Sequence, residues 1–249
     1  MYVAVSTDCF PDQLMPDVVD SFIDLEFTTV EIALREDGTV LSPSRIDAMQ
    51  EKAAHLAVRS HRLDVCSYDV HIEAEGDAYF EQFEAICRLG KATKVVTLTV
   101  PSGELGTPFN EEVERLQRLV DCADTEGVRV AMKSQIGRLS EDPDTVKVLC
   151  DNVKGLGLTL DPSHYFCGKY ANKNLDKIME FVFHVHLRDS KPDQLQVRVG
   201  QGEIDYAKVV SQLRRVGYNQ ALSVQMAPMP EFEQRGELRK LRLLLETLL

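Results

Sequence analysis

Six residues of mixed charge fall at or near the ends of short β-branched runs: Glu31, Lys133, Asp161, His186, Arg188 and Gln225. Each brings a definite chemistry. A placed carboxylate such as Glu31 can draw a proton from carbon next to a carbonyl. A lysine such as Lys133 offers positive charge to an oxyanion, and a desolvated lysine also serves as a base or forms a Schiff base. The guanidinium of Arg188 is a fork of donors for carboxylate or phosphate. His164 follows Asp161 in the next loop, where it can orient a substrate hydroxyl. His61 and His71 flank the third run, and His71 is the one placed to reach the same end. Buried charge is costly unless paired, so a convergence of these six would serve function rather than stability.

Such a convergence needs a scaffold. Runs with strand character occur at 2–6, 28–34, 62–68, 94–100, 127–133, 156–161, 182–188 and 221–226, and stretches of helical spacing separate them. Ser42-Pro43 and Asp142-Pro143 read as helix starts, an N-cap followed by Pro at the first helical position. Asn110 and Asp205 read as further starts, Gly127 and Gly217 as stops, and the last helix spans about 231–248. Eight strand–helix units in 249 residues fit an α/β fold of one domain, a single (β/α)8 TIM barrel over 1–249. No glycine-rich phosphate turn follows the first strand, which argues against an open dinucleotide-binding sheet.

Alternation along the strands assigns the faces. Val30, Ile32 and Leu34 oppose Thr29, Glu31 and Ala33; Leu156, Leu158 and Leu160 oppose Gly157, Thr159 and Asp161; Val185 and Leu187 oppose His184, His186 and Arg188. The apolar set must face the helices, because that layer is dry. The polar set then lines the barrel and gathers at the C-terminal strand ends, where active sites of this fold sit. His184 lies one layer deeper than His186 and reads as a core residue.

Composition narrows the partners. With 28 Lys+Arg against 40 Asp+Glu the formal charge is −12, which repels polyanions, so no nucleic acid is expected. No apolar stretch reaches the roughly 20 residues of a membrane span, and no secretory leader is visible. The six cysteines form no C-x-x-C pair, as expected for reduced thiols in a cytoplasmic protein.

The segments Gly157-Leu158-Thr159-Leu160-Asp161-Pro162-Ser163-His164, His184-Val185-His186-Leu187-Arg188-Asp189, Val199 to Tyr206 and Leu222-Ser223-Val224-Gln225 also carry a resemblance. In order and spacing they resemble the sugar phosphate isomerase/epimerase group of the xylose isomerase-like TIM barrels. The resemblance implies an isomerase or epimerase of a small sugar, polyol or sugar-derived keto acid, working by proton transfer next to a carbonyl. In typical members a divalent metal (Mn, Mg or Zn) is held by a Glu ending strand five, an Asp ending strand six, a His on strand seven and a Glu ending strand eight. Asp161 and His186 match two of these positions, and His164 matches a substrate-contacting histidine. The two Glu positions, which also shuttle the proton, hold Lys133 and Gln225.

That departure changes the chemistry. A ligand charge of −3 in the family becomes zero here, Asp161 against Lys133. At 4–5 Å an ammonium repels a divalent ion by roughly several kcal/mol even at an effective dielectric near 20. The expectation is therefore no metal cofactor, with the Lys133 ammonium in the ion's place, paired with Asp161 and hydrogen-bonded to Gln225 Oε1. Lys133 and Glu31 become the catalytic candidates, with His164, Arg188, Gln225 and His71 binding a carbohydrate-like small molecule. Arg188 has an alternative in pairing with Asp189 or Glu203. The competing reading is a catalytically inactive sugar-binding or regulatory barrel. Apurinic-site endonucleases share the superfamily, but the net charge and Lys133 speak against that activity.

Overall fold

The computed structural model describes residues 1–37, 41–58, 63–171 and 173–249; His61 lies outside them. In chain order the elements are β1 (Tyr2–Ser6), α1 (Met15–Asp24), β2 (Thr29–Leu34), α2 (Pro43–Ile46), α3 (Gln50–Val58), β3 (Asp64–Val70), α4 (Gly76–Thr93), β4 (Thr97–Pro101), α5 (Phe109–Glu126), β5 (Arg129–Lys133), α6 (Pro143–Asn152), β6 (Gly157–Leu160), α7 (Pro162–Phe166), β7 (Val182–Leu187), α8 (Tyr206–Arg215), β8 (Ala221–Val224) and α9 (Gln234–Glu246). All eight strands pair in parallel and in sequence order, and β1 closes on β8 with Val3 opposite Leu222. This is a single (β/α)8 barrel. Among the described residues no helix is long and apolar enough to cross a membrane.

The alternation works as its physics requires. Val30, Ile32, Leu34, Leu98, Val100, Val130, Met132, Leu158, Leu160, Val185 and Leu187 are buried against the helices. They meet Val18 and Phe22 of α1, Phe83, Ile86 and Leu89 of α4, Leu116, Leu119 and Val120 of α5, and Leu238, Leu241 and Leu245 of α9. Each such side chain, fully buried, stabilises the fold by about 2 kcal/mol. The lumen is polar instead. Thr99 and Thr159 hydroxyls meet at 2.7 Å, and Ser67 donates to Glu31 at 2.8 Å.

Several helix boundaries follow their local chemistry. Asp142 accepts from the Asp144 amide at 3.0 Å, and Asp205 from that of Lys208 at 2.9 Å. Gly127 (φ 72°) and Gly217 (φ 74°) take the left-handed conformation just after α5 and α8. One helix start differs from expectation. α5 begins at Phe109 after Pro108, one residue ahead of Asn110, which therefore does not cap it. Ser42 holds the N-cap position of α2 with Pro43 at the first helical position, as read, but makes no side-chain capping bond; its hydroxyl donates to the Glu36 carboxylate at 3.0 Å. The helix that starts at Pro43 is interrupted by a 3-10 turn at Asp47–Met49 before α3. The third strand runs to Val70, two residues past the run read from its β-branched residues, and this brings Asp69 into the sheet opposite Ala33 and Thr99.

Candidate active site at the C-terminal mouth

The lumen-facing positions of β2, β3, β5, β6, β7 and β8 carry a layered set of charges. In the deeper layer, Glu31 is fully buried and accepts from Ser67 Oγ, from His184 Nε2 and from His186 Nε2. His186 Nε2 lies 2.9 Å from both carboxylate oxygens, with the angle favouring Oε2. Burial pushes the Glu31 carboxyl up, but the two imidazoles outweigh it and hold it well below the usual carboxylate range. Burial lowers His186, so the ionised Glu31 carboxylate receives the N–H of a neutral His186 ring, with His184 Nε2 beside it. His184, read as a core residue, is thus a full member of this layer.

Above it lie two linked ion-pair networks. In the first, Asp69 Oδ2 accepts from Lys133 Nζ at 2.9 Å, Arg35 Nη2 at 3.0 Å and Gln225 Nε2 at 3.0 Å. Arg35 also donates to Asp8 Oδ2 at 2.6 Å. Burial would raise the Asp69 carboxyl, but Arg35 and Lys133 hold it far below its ordinary value. In the second, Asp161 Oδ2 accepts from Arg188 Nη2 at 2.7 Å, while Asp161 Oδ1 takes the Ser163 amide at 3.0 Å and the Ser163 hydroxyl at 2.5 Å. Asp161, fully buried, is held low chiefly by Arg188, against its desolvation.

Gln225 joins the networks. Its Nε2 donates to Asp69 and, at 3.2 Å, to Asp8, and its Oε1 accepts from Arg188 Nη2 at 3.0 Å. A side-chain amide presents donors to the carboxylates and an acceptor to the guanidinium at once. A glutamate here would stand against two aspartates.

The expected partner of Lys133 needs correction. Lys133 pairs with Asp69, not Asp161, and it is Arg188 that reaches both Asp161 and Gln225 Oε1. Nor does Arg188 turn to Asp189, whose carboxylate instead holds the amides of Ser190, Gly200 and Gly202. His71 is exposed just past β3 and lies off the mouth cavity. That cavity, of about 380 Å³, is lined by Asp8, Lys133, Gln135, His164, Arg188 and Gln225 together with prolines and an alanine from the neighbouring loops. His164 Nδ1 accepts from the Ile136 amide at 3.2 Å, so its proton sits on Nε2, 3.6 Å from Asp161 Oδ2. Burial lowers His164 to about 4, and it is neutral at pH 7.

Three residues of this site, Asp8, Arg35 and Asp69, had no place in the sequence reading. All continue the two-residue step of a lumen face beyond the strand end that was assigned: Ser6 to Asp8, Ala33 to Arg35, Ser67 to Asp69.

The four family metal positions do not fit a divalent ion. Both oxygens of Asp161 are already hydrogen-bonded, Lys133 is paired with Asp69 and Gln225 is bound on both sides, which leaves His186 Nδ1 as the one atom of the set without a partner among the described residues. A hard cation needs free anionic oxygens, and this set offers none. A different donor set exists lower in the barrel. Ligand atoms of Glu31, His184 and His186 lie within 4.8 Å of one another, a nitrogen-rich combination of the kind zinc and other transition metals take.

The chain belongs to the xylose isomerase-like TIM barrel family, whose model matches residues 20–245. Among solved structures it is similar to a D-tagatose 3-epimerase-like protein, with a TM-score of 0.78 and 15% identity over 100% of this chain and 98% of the other. It is also similar to the IolI protein with a bound zinc atom, with a TM-score of 0.77 and 14% identity over 100% and 98% of the two chains. A segment of 119 residues is 23% identical to the uncharacterized protein MJ1311 of Methanocaldococcus jannaschii, covering 44% of this chain and 41% of that one. The match therefore spans less than half of that curated relative.

Proposed function

We propose that the chain is an isomerase- or epimerase-type enzyme that moves a proton next to the carbonyl of a small sugar or sugar-derived keto acid, with the cations of Lys133 and Arg188 in place of the family's metal ion. The observation that carries the reading is the two-cation mouth. Lys133 Nζ spends one of its three protons on Asp69, and Arg188 is anchored by Asp161 and Gln225, so both charges are fixed beside the cavity. Fixed charge in a site of low dielectric stabilises a developing oxyanion far better than mobile water does. The D-tagatose 3-epimerase-like neighbour supports a sugar as the substrate class.

In this reading a substrate carbonyl enters the cavity and its oxygen takes hydrogen bonds from Lys133 and Arg188. The neutral His164, donating from Nε2, orients an adjacent hydroxyl. Removal of the proton from the neighbouring carbon builds negative charge on the oxygen, where the two cations meet it. The carboxylates Asp69 and Asp161 hold the cations in position.

Turnover of D-tagatose, D-fructose, D-ribulose and dihydroxyacetone, followed after EDTA treatment, tests this. The reading predicts turnover of at least one sugar that EDTA leaves unchanged and that Lys133→Met lowers about 10²–10³-fold. The inactive sugar-binding alternative predicts heat of binding with no product. It draws support from the loss of a carboxylate at both family acid/base positions.

A further inference from the structure

Proton transfer needs an acceptor that substrate can reach, and the carboxylates of this barrel differ sharply in that respect. Glu31 is sealed beneath the mouth and off the cavity wall, receiving three hydrogen bonds. Asp161 has both oxygens engaged, and Asp69 is buried with three donors on one oxygen. Asp8 is different. It stands two residues beyond Ser6, at the lip of β1, and among the described residues it is the one carboxylate lining the cavity. Arg35 and Gln225 fix its Oδ2, and its Oδ1 takes no hydrogen bond from the described residues. It is a braced base with one free oxygen, on the same cavity wall as Lys133 and Arg188.

We propose that Asp8 is the proton-transferring base, and that the reaction is an isomerisation in which one carboxylate serves two adjacent carbons from a single face. This rests on the reading given under Proposed function and deepens it. An inversion at one carbon needs an acid and a base on opposite faces, whereas the cavity wall offers a single carboxylate. The C–H bond of the carbon beside the carbonyl breaks, its proton passes to Asp8 Oδ1, and its electron pair becomes the C=C bond of an enediolate. The oxygen charge lies against Lys133 and Arg188. Asp8 then returns the proton to the neighbouring carbon as the carbonyl re-forms on the first, and the hydroxyl proton shifts between the two oxygens beside His164. No oxidant or reductant is required. Burial raises the Asp8 carboxyl above its ordinary value, the direction that strengthens a general base.

The test is proton NMR in D2O of the whole chain with D-fructose, D-tagatose, D-ribulose and dihydroxyacetone. The expected result is deuterium at the carbon next to the carbonyl, the aldose as product, and a fall of about 10²–10⁴-fold in Asp8→Asn with the sugar still binding by calorimetry. Exchange by Asp8→Asn within tenfold of the wild type overturns the proposal for Asp8 alone. A ketose inverted at one carbon overturns the single-face course. No exchange with any of the four sugars by the wild type overturns both this proposal and the reading beneath it. If Asp8→Asn does not fold, Asp8→Ser carries the same measurement, since Arg35 keeps Asp69 as its partner. Formate added to Asp8→Ala gives the converse readout. Recovery of exchange supports the proposal, and a dead variant that formate leaves dead overturns it.

Discussion

The Arg188 guanidinium donates to Asp161 Oδ2 at 2.7 Å, so the one carboxylate kept from the family's metal set already carries a cation of its own chain. Asp161 is fully buried, and breaking a buried pair leaves a charge uncompensated. Arg188→Leu is expected to lower unfolding free energy by about 3 kcal/mol in urea titrations. Arg188→Lys, which keeps charge but loses the fork, should recover part of it.

Stability should fall as pH drops below 7, led by a buried histidine. Folded His164 sits at about 4, against 6.5 for an ordinary histidine. The unfolded chain therefore takes up a proton first, and stability present above pH 6.5 is lost down to pH 4. The shift corresponds to about 3 kcal/mol at most. The lowering of His186 acts in the same direction. Below that window Asp69 and Asp161, held low by their cations, lose their contribution as they protonate. Denaturant midpoints at pH 7, 5.5 and 4.5 check this, and His164→Asn should flatten the upper part of the curve.

Restoring both family carboxylates should restore metal binding. In Lys133→Glu/Gln225→Glu, the carboxylate introduced on β8 would face Asp8 and Asp69, and the one introduced on β5 would replace the ammonium on Asp69. That crowding of anions is relieved by a divalent cation. The double variant is expected to melt at lower temperature than the parent and to be stabilised by millimolar Mn²⁺, while the parent is not. Thermal melts with and without the ion read this directly.

Gly202 is required by the loop beside the mouth. A Cβ there would fall 1.9 Å from Asp189 Oδ1, the carboxylate that takes the amides of Ser190, Gly200 and Gly202. Gly202→Ala must push that carboxylate off its donors. The expected cost is about 2–3 kcal/mol, measured by calorimetric melting.

Period-two alternation was enough to read the barrel and to turn Glu31, Lys133, Asp161, His186 and Gln225 inward, because a dry helix layer tolerates only the apolar set. Asp69 escaped because the third run lost its β-branched character at Asp69, although the pairing with β2 and β4 holds the strand to Val70. Asp8 and Arg35 escaped for a related reason: the lumen face continues for a residue or two beyond the last ladder hydrogen bond. The choice of Asp69 over Asp161 by Lys133 was not legible at all. It depends on the stagger between β3, β5 and β6, which no single strand encodes.

Crystals of the chain equilibrated with Mn²⁺ and measured at the manganese edge test the central claim most directly. Built-in cations at the mouth predict no anomalous peak among Lys133, Asp161, His186 and Gln225, with Arg188 still on Asp161. A full-occupancy peak ligated by Asp161 and His186, with Arg188 displaced, would contradict it.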